Sequence, residues 1–284
     1  MGNEKDHLEA IEGKEKFRFI GTSPIRPDGV DKVTGRANFG ADFTANGMIH
    51  GRVVRSPHAH AKIKSINIEK ALKMKGVKAI VTGQDFPKID PSDKVVGEVV
   101  VSFYDMSQNV IARDKVFYDG HAVAAVAATS IKIAEEAAAL IEIEYEVLPA
   151  VMTVIDAMKK NAPVLHKGMK TEGMDPVPKR SSNVASRAEL KLGNATEAFK
   201  DADVIVERDY TAQTVHQGYI EPHACVAEVS ADGMATIWSS SQGQFMVRAF
   251  VAKLCAMNAS KIKVIPSEIG GGFGGKTAIF IEPV

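Results

Sequence analysis

The chain has 284 residues, 45% of them hydrophobic and 25% charged, with 35 basic and 35 acidic side chains. At about 100–200 residues per domain the length suggests two domains, and the apolar share is that of an ordinary globular core. Zero net charge argues against a dominant nucleic-acid surface and gives no reason to expect an anionic membrane as partner. The two cysteines, Cys225 and Cys255, lie far apart. A cluster held by this chain would need about four, so both read as small buried hydrophobes. The N-terminal stretch has no apolar signal region, Asp6 stands where a myristoylation start needs Ser or Thr, and no apolar run approaches the ~18 residues of a membrane span. The expected location is the cytoplasm.

Residues 1–16 read as a solvated polar tail, and from Phe17 strand-like and helix-like runs alternate. "GRVVRS" (51–56) and "AKIKSINI" (61–68) read as strands. In the second, alternation places Ile63, Ser65 and Asn67 on one face and Lys62, Lys64, Ile66 and Ile68 on the other. "EKALKMKG" reads as a helix closed by Gly76, and "VKAIVT" (77–82) as a short buried strand closed by Gly83. Over 121–148 come a small-apolar strand, a helix capped by Ser130 and an alternating strand "IEIEYEV", read as one compact α/β unit. Glu142, Glu144 and Glu146 are expected on its wet face, not in a carboxylate site. These elements define a first domain over 17–158. Residues 159–187, rich in Pro, Gly and polar side chains, read as a linker.

A second domain is expected over 188–284. Asn194 is a plausible helix start. "VIVERDYTA", "ACVAEVS" and "MATIWSS" read as strands, the last two joined at Asp232-Gly233, a hairpin signal. A helix is expected at about 244–257, with Met246, Phe250 and Leu254 beside Val247, Val251 and Cys255 on one buried stripe. "KIKVIPSEI" then feeds the stretch "EIGGGFGGKT" (268–277).

That stretch fits G-x-x-x-x-G-K-[ST], the nucleotide phosphate loop. The fit is cheap among so many glycines, and the residues after it, "TAIFIEPV", leave little room for the helix such a loop needs. Two other readings remain: a tight turn between strands, or bare main chain lying against a bulky ligand and donating several N–H groups, with Phe273 as a hydrophobic anchor.

Seven stretches taken together decide between them: "DGVDKVTGRANFGADF" (28–43), "GRVVRSPHAHAKI" (51–63), "VFYDGHAVAAVAA" (116–128), "ALIEIEYEVLPAV" (139–151), "YIEPHACVAEV" (219–229), "SSSQGQFMVRAFVA" (239–252) and "GGGFGGKT" (270–277). In this order they resemble the molybdopterin-binding subunit of the xanthine dehydrogenase/aldehyde oxidase family, from about residue 20 onward. The resemblance implies an α+β fold: an α/β hammerhead domain followed by the first part of a mixed α+β molybdenum-cofactor domain. It implies that Gly271, Gly272, Phe273, Gly274 and Gly275 line a molybdenum–molybdopterin cofactor, bare or as its cytosine dinucleotide. Gln242, followed by Gly243, would place a neutral amide donor beside the metal centre. No residue of this chain is expected to ligate the metal or to act as the catalytic acid or base. Thr277 stands where the purine-oxidising branch has a glutamate, which points away from purines and toward aldehydes or other aromatic and heterocyclic substrates.

Family subunits are longer, so the resemblance implies a fragment, a truncated product or one half of a split subunit. The remainder of that subunit, an iron–sulfur subunit with 2Fe-2S clusters and an FAD subunit are the expected partners, in an oxidoreductase that hydroxylates with oxygen from water. The alternative is a non-catalytic assembly piece that binds no cofactor alone. His58 and His60 are too few for a closed zinc site and are expected to pack or hydrogen-bond within the first domain. His121 is expected to be structural. Glu221 and His223 could do acid–base chemistry, with a core position for both left open.

Overall fold

The structure, a computed structural model, describes residues 19–96, 100–277 and 280–284. The expected tail over 1–16 lies outside the described residues. The chain divides into a unit ending at Asn38 and a unit Phe39–Val284. The described part of the first carries helix α1 (Gly29–Thr34), closed by Gly35 in the left-handed conformation.

In the second unit the elements run β1 (His50–Arg55), β2 (Ala61–Asn67), α2 (Glu69–Leu72), β3 (Val77–Thr82), β4 (Lys94–Val96), β5 (Val100–Ser102) and α3 (Phe103–Val110). They continue with β6 (Lys115–Val116), β7 (Ala122–Ala128), α4 (Ile131–Ala139), β8 (Glu142–Val147), α5 (Val154–Met158) and α6 (Ala195–Lys200), then β9 (Cys225–Val229), β10 (Ala235–Ser239), α7 (Gln244–Leu254) and β11 (Ile262–Pro266).

The alanine-rich strand β7 is the centre of an antiparallel sheet, β1-β7-β3. Its small side chains let α4 lie close, with Ala134 and Ala137 buried beneath it. Ser130 caps that helix by accepting from Ile133 N at 3.2 Å. In a second antiparallel sheet, β6-β2-β8, Lys62 and Lys64 of β2 pair with Glu146 and Glu144 of β8, and Lys70 of α2 pairs with Glu142. The three glutamates are therefore an outer charged face and no carboxylate site.

Two local readings change. β7 and β8 flank α4 as expected, but each pairs antiparallel in a different sheet, so 121–148 is no single-sheet unit. In β2, Ile63 and Ile66, placed on opposite faces by strict alternation, pack into the same cluster. A register shift between Ile63 and Ser65 inserts the extra residue that brings them to one side.

The parallel strand–helix–strand unit lies later, at β10-α7-β11. β10 pairs parallel with β11 from Ala235↔Ile262 to Ser239↔Pro266, and antiparallel with β9. The hairpin at Asp232-Gly233 forms as expected, with Gly233 at φ +78°. On α7 the buried residues Val247, Phe250, Val251 and Leu254 follow helical spacing. The helix stops at Leu254, short of the expected 257, and Ala256 turns to φ 52°. Phe103 meets Phe250 edge-on at 5.1 Å, so α3 and α7 share one core with Ile89, Ile237 and Ile262.

Segment 159–187 is held down. Asn183 donates to Ala157 O and Pro163 O and accepts from Leu165 N, and the His166 ring stacks on Phe117 at 4.5 Å. Beyond it, every residue over 185–218 is exposed, including Leu190, Leu192, Val204, Val206 and Tyr210. "VIVERDYTA" forms no strand there, since no neighbouring strand is present among the described residues to bond it.

His60 donates from Nδ1 to Pro149 O at 2.7 Å, and the His58 ring meets Tyr145 edge-on. His121, fully buried, accepts on Nδ1 from Phe117 N at 3.2 Å and stacks on Tyr118. These three histidines are structural, as expected.

The packing makes Phe250 and His121 the residues to test. Phe250→Ala lowers stability by about 3–5 kcal/mol, read as a shift in the denaturation midpoint, whereas Phe245→Ala on the exposed face of α7 changes it by less than about 0.5 kcal/mol. Burial pushes the His121 imidazole down to about 4. The folded protein thus keeps His121 neutral where the unfolded chain takes up a proton, and stability falls as pH drops from about 6.5 toward 4, by on the order of 3 kcal/mol. A His121→Phe variant should lose that part of the pH dependence, measured by denaturation at each pH.

Candidate functional site

The carboxyl ends of β10 and β11 lie side by side, because the strands are parallel neighbours. Two loops leave there together, 240–243 and 267–277. Chains exiting a parallel sheet at adjacent carboxyl ends make a crevice, the usual ligand position in such folds.

The first loop is pinned by buried serines. Ser241 Oγ accepts from Gly243 N at 3.1 Å and donates to Lys276 O at 3.4 Å. Gln242 N donates to the same carbonyl at 2.9 Å. The Gln242 side chain then reaches under the glycine loop, where Oε1 accepts from Gly274 N at 3.1 Å and Lys276 N at 3.2 Å. Only the oxygen of a carboxamide can accept two N–H groups. The Nε2 donors therefore point away from the loop, and they meet no acceptor among the described residues.

The glycines serve the chain's own side chains first. A Cβ at Gly270 would lie 2.6 Å from Glu221 Cβ, at Gly272 2.5 Å from Gln242 Oε1, and at Gly275 2.7 Å from Tyr219 Cε1. Gly271, at φ +96°, faces Tyr219 Cβ at 3.1 Å. Gly274 is different: it needs φ +87° but faces open space. Phe273 sits at φ 47° and is 74% exposed, so it packs little against the chain itself. A left-handed conformation in a bulky residue costs about 1–2 kcal/mol and marks the loop as shaped by its surroundings.

The loop's amides divide accordingly. Gly270 N donates to Glu221 Oε2 at 2.8 Å, Gly274 N to Gln242, and Gly275 N to Gly272 O at 2.7 Å. The amides of Gly271, Gly272 and Phe273 have no acceptor among the described residues. Those three N–H groups and Gln242 Nε2 are donors without partners, the complement an oxygen-rich ligand requires. Gly243 caps α7 beside them.

Lys276 settles the phosphate-loop reading. Its side chain is fully buried, with Nζ 2.5 Å from Glu221 Oε2 and 5.0 Å above the Tyr219 ring. It presents no ammonium to a phosphate, and no helix forms over 280–284. The last strand and the end of the loop are packed: β11 is paired, and Lys276 and Ile281 are buried.

Glu221 is taken up by these contacts and is no free general base. His223 Nε2 lies 2.7 Å from Tyr219 Oη, and its ring is 3.9 Å from Phe280. Burial, then the Lys276 ammonium, holds its pKa below the usual range. Cys225 donates to Glu282 O, and burial pushes its thiol up to about 12. Among the described residues no group of three metal-ligating side chains forms. The contribution of Gly40 was not legible in sequence. Its N–H donates to Glu221 Oε1 at 3.1 Å, and a Cβ added at Gly40 would lie 3.0 Å from Ala224 O, tighter than ordinary packing. Only its place within "FGADF", at the end of the first family-like stretch, hinted at it.

Known proteins resemble the chain over both of its halves. Residues 34–149 match the aldehyde oxidase and xanthine dehydrogenase a/b hammerhead domain, and 177–284 match the molybdopterin cofactor-binding domain. The chain is 34% identical over 92% of its length to a probable xanthine dehydrogenase subunit of Bacillus subtilis (strain 168), of which it covers 32%. It is 31% identical over 95% of its length to the nicotinate dehydrogenase large molybdopterin subunit of Eubacterium barkeri, of which it covers 58%. Quinoline 2-oxidoreductase from Pseudomonas putida 86 superposes with a TM-score of 0.78 and 29% identity, over 94% of this chain and 33% of that one. The fold is thus that of a hammerhead domain followed by molybdopterin cofactor-binding structure, as in molybdenum hydroxylases. The chain belongs to the xanthine dehydrogenase/aldehyde oxidase family and spans about a third to somewhat over half of the length of these relatives.

Gly272→Ala should push the Gln242 carboxamide off Gly274 N and Lys276 N. The expected result is a loss of about 1–3 kcal/mol and faster hydrogen exchange over 268–277, measured by mass spectrometry.

Proposed function

We propose that this chain supplies one wall of a molybdenum–molybdopterin site in a hydroxylase acting on an aldehyde or an aromatic heterocycle. The observation that carries the reading is a set of donors with no partner among the described residues: Gln242 Nε2 and the amides of Gly271, Gly272 and Phe273. They fit an oxygen-rich cofactor without adding charge. When bound, that group supplies the two-electron oxidation of a substrate carbon, with water as the oxygen source.

The chain's own residues position. Gly274 N and Lys276 N orient the Gln242 carboxamide so that its NH2 faces the crevice. Gly271 to Gly275 line that crevice as main chain, and Gly243 turns the first loop into α7 beside it. Glu221, held by three donors, does no proton transfer. Thr277 Oγ1 donates to Gly274 O at 2.7 Å, so this position offers no carboxylate to a purine. The names of two relatives, a nicotinate dehydrogenase and a quinoline oxidoreductase, favour heteroaromatic substrates.

We place the domains at 17–158 and 188–284, joined by 159–187. The remaining polypeptide of a full-length molybdopterin subunit, a 2Fe-2S subunit and an FAD subunit complete the proposed enzyme. The exposed apolar side chains over 185–218 support packing against further polypeptide. Among the described residues no helix is long and apolar enough to cross a membrane.

The test is to purify the complex that contains this chain and measure molybdenum by elemental analysis, with stoichiometric metal expected. Gln242→Glu keeps both acceptor contacts to the loop but deletes the Nε2 donors. It should lower kcat by about 10²–10³ with the loop's hydrogen exchange unchanged. A complex free of molybdenum would favour the non-catalytic assembly reading.

A further inference from the structure

We infer that Glu221 is the positioning residue of this site, a single largely buried carboxylate that holds both ends of the glycine loop and a distant second segment in one arrangement. The inference rests on reading the loop as the cofactor's cradle.

Three donors from two stretches of chain converge on it. Gly270 N, at the loop's entry, reaches Oε2 at 2.8 Å. Lys276 Nζ, at its exit, reaches the same oxygen at 2.5 Å. Gly40 N reaches Oε1 at 3.1 Å. The main chain reciprocates, with Glu221 N donating to Gly270 O at 3.3 Å. Tying Gly270 and Lys276 to one oxygen fixes the span of the loop between them, and with it the direction of the free amides at Gly271, Gly272 and Phe273. The contact at Gly40 extends the hold to 39–43, where Phe39 bridges to Glu268 and the Phe43 ring lies 6.2 Å from Trp238.

The chemistry explains why a charge pair stands here. The Lys276 side chain is shut off from solvent, and a carboxylate is the partner that satisfies its ammonium. Glutamine in place of Glu221 would keep the shape and lose the charge, leaving the ammonium buried and unpaired. Such a change disturbs more than the loss of one hydrogen bond. Lys276→Met in the same background removes the stranded charge and so separates that penalty from the loss of the hold.

The experiment compares wild type, Glu221→Gln and the double variant Glu221→Gln/Lys276→Met in the purified complex, by hydrogen exchange and by molybdenum and pterin content. Glu221→Gln is expected to speed exchange about tenfold or more over 268–277 and 39–43, with β1, β3 and β7 unchanged, and to lower molybdenum and pterin content severalfold. The double variant should regain part of the protection over 268–277. If Glu221→Gln loosens the whole chain, the double variant decides, since it carries no stranded charge. Faster exchange confined to the two segments upholds the inference, and wild-type exchange there overturns it. Full molybdenum and pterin content in a complex whose loop exchanges faster also overturns it, because the loop would then be held without being positioned for the cofactor. A wild-type complex without molybdenum sinks the proposed function, while the exchange rates still decide whether Glu221 holds the loop.

Discussion

The parallel pairing of β10 with β11 is the constraint on which the rest of the site depends. Because Ser239 and Pro266 end the pairing together, the loops beyond them must run alongside each other. Helix α7 makes that pairing possible. It carries the chain from the end of β10 back to the start of β11, and it is kept on the sheet by Val247, Phe250, Val251 and Leu254. Without that buried stripe the two loops would have no reason to meet, and Gln242 would have no main chain to lean on.

Glycine is needed on this loop for two different reasons. On the inner side, Glu221, Tyr219 and Gln242 approach so closely that Gly270, Gly272 and Gly275 have no room for a methyl group. At Gly274 there is room, and the requirement is backbone conformation. The inner packing turns some amides inward and others outward. A run of glycine therefore does not leave every N–H free. The side chains beneath it decide which remain, and here they leave those of residues 271 to 273.

Some features were legible because their signals are local. Strand β3, which forms as expected but at a sheet edge with none of its residues buried, the cap at Ser130, the hairpin at Asp232-Gly233 and the face of α7 each follow from a few neighbouring residues. Features that depend on a distant partner were not. The bulge in β2 arises from its pairing with β8, and no residue of β2 announces it. The segment 204–212 has the side chains of a strand and stays without regular structure and exposed, because side-chain preference cannot substitute for a bonding neighbour. Lys276 stood in a phosphate-loop pattern, yet a carboxylate 55 residues earlier claims it.

The sequence by itself determined the family, the α+β class and the stretches that build the crevice, since each rests on residue types in a particular order. It also singled out Gln242 and the glycine run. Only the tertiary structure decided how those residues face. That the Gln242 oxygen is consumed by the loop and its NH2 left free, that Lys276 is buried on Glu221, and that Gly40 joins them are all consequences of contacts between residues far apart in the chain. Such contacts are set by which strands lie side by side, and no local pattern of side chains encodes that.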